Sequence, residues 1–304
     1  MRWSDEKIWD LAIELGLDPF PTEFHTVPAN VLLDVASRGI SGRYTHWSHG
    51  QQFAMHKARH DWHMGRIYEV VINSNPSLAF LLDVNSDVIN LLIKCHVLGH
   101  TDFFRHNIAF KGTDRRMPTH SALRAERIRG YEERYGIEAV EQTLDDLLTV
   151  EWLVDPDGYD GAIKPDDPQH RGEYDEFLNL GKPQVETPQV SYNGRKRFSG
   201  LPCRDVLAFL IAEAPLDDWQ RDIANIVRED GLYFWPQIRT KTVNEGWASF
   251  WHIRMMRQLG LTDGEYTEFA KVNAGVVSAH PGQLNPYWLG LKMLEDIDKR
   301  LGRD

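Results

Sequence analysis

Apolar residues recur at helical spacing along most of the chain, and this periodicity predicts a mainly helical protein. Near the start, Ser4 is a typical N-cap residue, and Ile8, Leu11 and Leu15 follow it on one helical face. Further helical patterns run over, approximately, residues 48–64, 119–135, 137–153, 203–213, 216–230, 241–259, 263–279 and 286–301.

One stretch in the first third of the chain has the period of a strand instead. Residues 67–73, IYEVVIN, alternate in character and are rich in β-branched and aromatic side chains. The turn sequence NSNP and the apolar run SLAFLLDV follow, so the pattern predicts a short β-hairpin. Asn85 or Ser86 then caps a long helix that ends near Asn107.

Proline, glycine and aspartate dominate the sequence from residue 155 to about 200, as in VDPDGYDGAIKPDDPQHRGEYDEF. An irregular segment of this length inside a compact domain is usually a lid, a binding loop or a disordered region. We therefore predict a single domain over residues 1–304 with an irregular excursion at about 155–200.

Composition narrows the class of protein. The 304 residues are 42% hydrophobic and 26% charged, as in ordinary globular proteins, and the net charge of −11 argues against a general nucleic-acid binder. The N-terminus MRWSDEKIWD resembles no signal peptide, and the longest obvious apolar run, SLAFLL, is too short to cross a membrane. Cys95 and Cys203 form no CxxC motif, so the sequence predicts a cytoplasmic protein without a disulfide scaffold.

The segment KCHVLGH carries two histidines, His96 and His100, one helical turn apart. Both imidazoles leave one face of the helix about 6 Å apart along the axis, a spacing that suits a single tetrahedral ion. In the zinc-protease motif H-E-x-x-H the glutamate is the general base, whereas Val97 stands in its place here. The alternative interpretation is a pair of buried core histidines.

A third metal ligand is predicted at Glu245, in the segment NEGWA. An H-x-x-x-H helix completed by a glutamate from a later helix is the arrangement of the glutamate-type zincins. A solvated glutamate near a helix N-terminus is the alternative, but the flanking TVNEGWASFWHIRMM is too aromatic and apolar for an exposed face.

Two further residues lie on the helix of Glu245. His252 is on the same face but about 10 Å along the axis, so we expect an outer hydrogen bond, a proton donor or a substrate contact, not a ligand. Ser249, one turn after Glu245, is a candidate to hydrogen-bond a ligand histidine.

Two other features are ambiguous. His49, His56, His60 and His63 form one helical stripe, which fits either a metal site or a partly exposed face with pH-sensitive charge. Cys95 points roughly 100° away from His96 around the helix, so it is expected to be a small buried residue.

Several long segments resemble the stage V sporulation protein R family, the SpoVR-like proteins. They are YEVVINSNPSLAFL, CHVLGHTDFFRHN, YGIEAVEQTLDDLLTVEWLVDP, DDWQRDIANIVREDGLYFWPQIRTKTVNEGWASFWH and NPYWLG. The segments that hold His96, His100, Glu245 and His252 match the family's motifs, and the family also lacks the H-E-x-x-H glutamate.

The resemblance implies a role related to forming the spore cortex. As partners it implies an AAA-type serine protein kinase and a von Willebrand-type protein, which are often encoded beside family members. The chain is shorter than those members and ends soon after NPYWLG, so their C-terminal extension is expected to be absent.

Together these patterns predict a mainly α, zincin-like helical domain with a small β-hairpin before the metal-binding helix. His96, His100 and Glu245 would hold one divalent ion, zinc by the ligand set, and leave a coordination position open for hydrolysis of an amide or peptide bond. Glu69, on the strand beside the metal helix, is the predicted general base, although it also fits a salt-bridged strand carboxylate. His252 is the second predicted catalytic residue, and Asp102 points away from the histidine face.

The missing motif glutamate favours a rival hypothesis. In it the chain is a non-catalytic, metal-stabilised binding or regulatory module, related to sporulation or stress signalling, that binds a partner such as the kinase.

Overall fold

The computed structural model describes residues 3–61, 69–156, 204–278, 282 and 284–302. These residues form a mainly helical protein with a small sheet, which confirms the predicted class. The α-helices are α1 (Asp5–Glu14), α2 (Ala29–Arg38), α3 (Trp47–Asp61), α4 (Asp87–His106), α5 (Met117–Tyr135), α6 (Ile137–Leu148), α7 (Val206–Glu213), α8 (Asp218–Gln258), α9 (Asp263–Val276) and α10 (Pro286–Leu301). A short 3₁₀ helix spans Ile108–Phe110.

The sheet contains the predicted hairpin and one strand that was not predicted. Strands β2 (Glu69–Ile72) and β3 (Ser77–Leu82) pair antiparallel across the NSNP turn. Strand β1 (Thr22–Val27) pairs parallel to β3, with Thr22 opposite Ser77, so the order is β1–β3–β2. No residue of β1 is fully buried, and only Phe24 and Val27 of its six residues are apolar, so the sequence gives little strand signal there.

Local capping explains where two of the helices begin. Ser4 accepts a hydrogen bond from the Lys7 backbone N–H at the start of α1, and Ser86 accepts one from Ile89 at the start of α4. Ser86 is thus the cap that the sequence left open between two candidates.

The prediction of separate helices at 216–230 and 241–259 was wrong, because α8 continues from Asp218 to Gln258. Pro236 lies inside it and cannot donate a backbone hydrogen bond, which is the usual reason to end a helix. Thr240 Oγ1 donates to the Pro236 carbonyl at 2.7 Å within the following turn.

Residue packing divides the chain into two compact units. One comprises Met1–Gly130 with Pro236–Asp304, and the other comprises Tyr131–Trp235. In the second unit, fully buried Asp205 forms a 2.7 Å ion pair with Arg228. The single domain over 1–304 stays a prediction, and of the excursion at 155–200, residues 157–200 lie outside the described residues.

The core of the first unit surrounds α4. Leu91, Ile93, Val97 and Leu98 of α4 belong to one cluster of buried residues. The cluster also contains Ile8 and Ala12 from α1, Ala79 and Leu81 from β3, Met255 and Met256 from α8, and Phe269 from α9. A helix that is buried on all sides must satisfy its polar side chains internally.

None of the helices in the described residues combines the length and the apolar character that a membrane crossing requires.

Candidate metal centre

His96 and His100 on α4 and Glu245 on α8 converge on one point. Their candidate ligand atoms all lie within 4.8 Å of one another. Glu245 Oε2 is 3.5 Å from His96 Nε2 and 3.4 Å from His100 Nε2. The two imidazole rings are perpendicular, with centroids 4.5 Å apart, so they approach the shared point from different directions. The structure thus brings together the three residues that the sequence grouped as metal ligands, and their binding of an ion stays a prediction.

The hydrogen bonding of these atoms fits a cation. His96 Nε2 and Glu245 Oε2 are buried, and neither has a hydrogen-bond partner of acceptable geometry among the described residues. Buried polar atoms without partners are costly, and a divalent ion between the two would satisfy both. Two imidazole nitrogens and one carboxylate oxygen are a donor set that zinc accepts.

The second ring nitrogen of each histidine, Nδ1, lies within hydrogen-bond distance of a residue outside the ligand group. His100 Nδ1 lies 2.9 Å from Asn244 Oδ1, and His96 Nδ1 lies 2.8 Å from His252 Nδ1. An amide oxygen can only accept, so His100 carries its proton on Nδ1 and directs the Nε2 lone pair toward the centre. Two adjacent residues of α8 therefore have different roles. Asn244 orients His100, and Glu245 faces the centre.

The charges of His96, His100 and Glu245 influence one another. Burial raises the pKa of Glu245, but the facing His100 and His96 rings outweigh it and hold the pKa well below its usual range. Burial lowers the pKa of His100, yet the Glu245 carboxylate raises it above the ordinary value. Without a metal, the carboxylate is thus ionised and stabilises a proton on the histidine that a cation would displace.

Glycines set the close approach of the helices that build the centre. A Cβ on Gly99 of α4 would lie 2.7 Å from the Ala248 Cα of α8. A Cβ on Gly290 of α10 would lie 2.8 Å from the Gly246 Cα of α8. Each contact is one or a few residues from a site residue, so small side chains allow the helices to bring those residues together.

Glu69 begins the edge strand β2, where the hairpin directs it toward α4. It pairs with Leu81 of β3, and Val71 pairs with Ala79. Cross-strand partners and alternate residues share a sheet face, and Leu81, Ala79 and Val71 all pack in the cluster around α4. The Glu69 carboxylate accordingly interacts electrostatically with His96, Glu245 and His100, and burial raises its pKa.

Tyr287 at the start of α10 is a site residue that the sequence reasoning missed. Its ring stacks on His96 with centroids 6.1 Å apart, and its side chain hydrogen-bonds Glu245. Burial and the nearby carboxylates of Glu245 and Glu69 raise the pKa of the phenol, so it remains a neutral donor. The only sequence signal was its place in the segment NPYWLG.

His252 lies behind His96, on its Nδ1 side. Burial, followed by the charge of His96, lowers the pKa of His252 to about 3, so its ring is neutral. Of the three roles that the sequence left open for His252, this position fits an outer hydrogen bond that orients a ligand. Its catalytic role stays a prediction.

Two further residues weighed in the sequence, Asp102 and Ser249, lie outside the ligand group. Asp102 accepts hydrogen bonds from the Asp18 backbone at 2.7 Å and from Trp247 Nε1 at 2.8 Å, a structural arrangement that agrees with its placement away from the centre. Ser249 Oγ has no hydrogen-bond partner in the described part of the chain, whereas Asn244 takes the role suggested for it.

Val97, in the place of the motif glutamate, is fully buried within the apolar cluster around α4. The position that carries the base in H-E-x-x-H helices therefore faces core side chains here.

The second histidine pattern does not assemble in the described residues. His49 is buried with Nδ1 3.2 Å from the Tyr44 carbonyl, and neither it, His56 nor His60 joins a metal-type group within those residues. His63 lies outside the described residues, as does Cys203. Cys95 is fully buried, and burial raises the pKa of its thiol, as expected for a small core residue.

Comparison with known proteins agrees with the sequence resemblance. The family model described as SpoVR like protein matches residues 1–304. A protein of Escherichia coli (strain K12) named "Uncharacterized protein YcgB" is 31% identical over 308 residues, which cover 93% of this chain and 60% of that protein. No solved structure matches the chain. The chain belongs to the SpoVR-like family.

Proposed function

We propose that this SpoVR-like protein is a metal-dependent hydrolase of amide or peptide bonds with a zincin-like H-x-x-x-H plus glutamate site. One observation carries the proposal. Three buried donors, His96 Nε2, His100 Nε2 and Glu245 Oε2, converge within 4.8 Å, and the carboxylate of Glu69 interacts electrostatically with all three residues without belonging to the ligand group. Three protein ligands leave a tetrahedral ion one open position, which is typical of catalytic sites.

The proposed ion is zinc, because two imidazoles and one carboxylate match its usual catalytic ligands. When bound, it would supply Lewis acidity, which polarises a carbonyl group and makes a water molecule more acidic. His96, His100 and Glu245 would hold it.

The residues around the ligands provide the proton transfers that amide hydrolysis needs. Glu69 takes a proton from the attacking water as the oxygen bonds to the carbonyl carbon. It then returns that proton to the amine nitrogen as the C–N bond breaks, leaving a carboxylic acid and an amine. A carboxylate whose pKa is raised by burial is better matched to this exchange near neutral pH. The neutral phenol of Tyr287 donates its hydrogen bond to Glu245, so it would help to hold the ligand carboxylate in position.

Substrate and partners are proposed at a coarser level. The family's role in the spore cortex suggests cell-wall peptide as the amide substrate. The same resemblance suggests the AAA-type serine protein kinase and the von Willebrand-type protein as partners. These proposals concern the whole protein, and this chain spans 60% of the length of its curated relative.

Metal analysis and activity test the function together. Untagged protein purified without added metal should contain zinc, and it should cleave cell-wall-type peptides in a reaction that a chelator abolishes and zinc restores. Metal-free protein that binds no added zinc would overturn the site. A protein that binds zinc but cleaves no amide substrate would support the metal site and refute the proposed hydrolase activity.

A metal-stabilised binding or regulatory module is the second candidate function. It is favoured by the fully buried Val97, which removes the usual general base from the metal helix. The Glu69→Gln substitution separates the two candidates. Under the first it should slow hydrolysis. Under the second it should change neither zinc content nor partner binding.

A further inference from the structure

A chain of hydrogen bonds runs from the candidate metal centre through three helices. His96 Nδ1 of α4 lies 2.8 Å from His252 Nδ1 of α8. His252 Nε2 in turn lies 2.8 Å from Asn273 Oδ1 of α9. The His96 and His252 rings are buried at 3% and 1% exposure, so water does not compete for these contacts.

The acceptor at the end of the chain determines the direction of every bond in it. Asn273 Oδ1 cannot donate, so His252 Nε2 must carry a proton. A neutral His252 then has a lone pair on Nδ1, which accepts a hydrogen bond from the protonated His96 Nδ1. A neutral His96 with its proton on Nδ1 keeps its lone pair on Nε2, the atom that faces Glu245 Oε2 at 3.5 Å.

Asn273 is held in place independently of the centre. α9 begins with a capping box in which Thr262 and Glu265 bond each other's backbone. Its Glu268 accepts a 2.6 Å hydrogen bond from Ser86, the N-cap of α4. Phe269 packs edge-on against His252 with ring centroids 6.3 Å apart. These contacts fix α9 against both helices that carry the proposed ligands, so the amide oxygen has a defined position.

We infer that Asn273 is a positioning residue of the metal site, which acts through His252 to present the Nε2 lone pair of His96 to the ion. This inference rests on the proposed function in its metal-binding part. It assigns a role to a residue 21 positions beyond His252, in a helix that supplies no ligand. Asn244 does the same for His100 directly, so each of the two proposed histidine ligands has its own asparagine acceptor.

The first test is the protonation of His252 in the zinc-loaded full chain. Long-range proton–nitrogen NMR correlations of ¹⁵N-histidine-labelled protein distinguish protonated, lone-pair and metal-bound ring nitrogens. The expected spectrum shows His252 protonated on Nε2 and unprotonated on Nδ1, and His96 zinc-bound through Nε2. A proton on His252 Nδ1 would overturn the inference. Zinc that leaves His96 Nε2 unaffected would overturn the metal site itself, which is a separate and recognisable result.

The second test compares two substitutions at Asn273 by zinc affinity. Asn273→Asp keeps the shape of the side chain and can only accept, so zinc affinity should be retained or increased. Asn273→Leu removes the acceptor and should weaken zinc binding by about tenfold or more, the usual effect of losing an outer hydrogen bond to a metal ligand. Asn225→Leu, at an exposed asparagine of α8, is the matched control and should not change it.

Two outcomes of the affinity test would overturn the inference. One is an Asn273→Leu variant that binds zinc as the wild type does. The other is an Asn273→Asp variant weakened as much as Asn273→Leu, because that result would mean that the asparagine donates through its amide nitrogen. The wild-type spectrum decides the question even where a variant fails to fold.

Discussion

Gly246 of α8 and Gly290 of α10 touch backbone to backbone, and a Cβ on Gly290 would lie 2.8 Å from the Gly246 Cα. Gly246 follows the proposed ligand Glu245, and Gly290 is one helical turn after Tyr287. The contact therefore determines how closely the phenol approaches the carboxylate. Asn285 holds the same end of α10 by donating to the Val276 and Ser278 carbonyls.

Gly290→Ala should destabilise the protein and separate Tyr287 from the centre, because a methyl group there overlaps the backbone of α8. We expect a loss of about 2 kcal/mol in the free energy of unfolding, as for other overpacked sites, measured by chemical denaturation. Gly50→Ala is the matched control, since Gly50 lies in α3 with open space around it. That control should be neutral or stabilising, and an equal loss in both variants would argue against the close contact.

His96→Ala, His100→Ala and Glu245→Gln should each strip zinc, measured by elemental analysis after gel filtration. Each should also lose the rise in thermal stability that zinc gives the wild type, which reaches about 4 kcal/mol at a thousandfold excess over Kd. His106→Ala is the control on the same helix, because its side chain is 53% exposed and outside the ligand group. Unchanged zinc content in all three ligand variants would show that the site is wrong.

Glu69→Gln should leave zinc bound and lower the rate of amide hydrolysis by about a hundredfold or more, the usual size of a general-base effect. The reason is that glutamine keeps the shape of the side chain facing α4 but cannot take up a proton. Rate and zinc content are measured on the same preparation. A full rate in the zinc-loaded variant would remove Glu69 from the mechanism.

Val97→Glu should unfold or severely destabilise the protein and should not restore a zincin-like base. Val97 is fully buried in the apolar cluster around α4. The new carboxylate would therefore be buried without a partner, at a cost of several kcal/mol. Val84→Glu, at a position that is 76% exposed, is the control and should fold normally. A stable Val97→Glu variant with new peptidase activity would contradict the observed packing.

Acid should weaken the first unit through His49. Burial, followed by the charges of Arg43 and His46, lowers the pKa of His49 to about 4 from the ordinary 6.5. The unfolded chain therefore binds more protons than the folded one between these values, so stability is complete above about pH 6.5 and falls as the pH drops toward 4. His49→Gln should lose less thermal stability than the wild type over this range, and parallel curves of Tm against pH would contradict the prediction.

The sequence alone was sufficient for the local features of the protein. Capping residues and apolar spacing are read within a few positions, so Ser4, the hairpin and the long helix of His96 and His100 were predicted correctly. The proposed ligands were predictable for the same reason: two lie one turn apart, and Glu245 has an unusually apolar neighbourhood. Local cues misled at Pro236, where α8 continues although proline cannot donate the backbone hydrogen bond.

Only the tertiary structure could decide which distant residues meet. Asn273 is connected to His96 through hydrogen bonds of His252, and His252 lies 156 positions after His96. Nothing in the local sequence of α9 indicates such a contact. Tyr287 reaches the centre because two glycines allow α10 to approach α8 closely. Val97 faces the core because of the rotation of α4 about its own axis. Helical periodicity is a property of neighbouring residues, whereas helix approach and orientation are decided by side-chain packing between segments far apart in the chain.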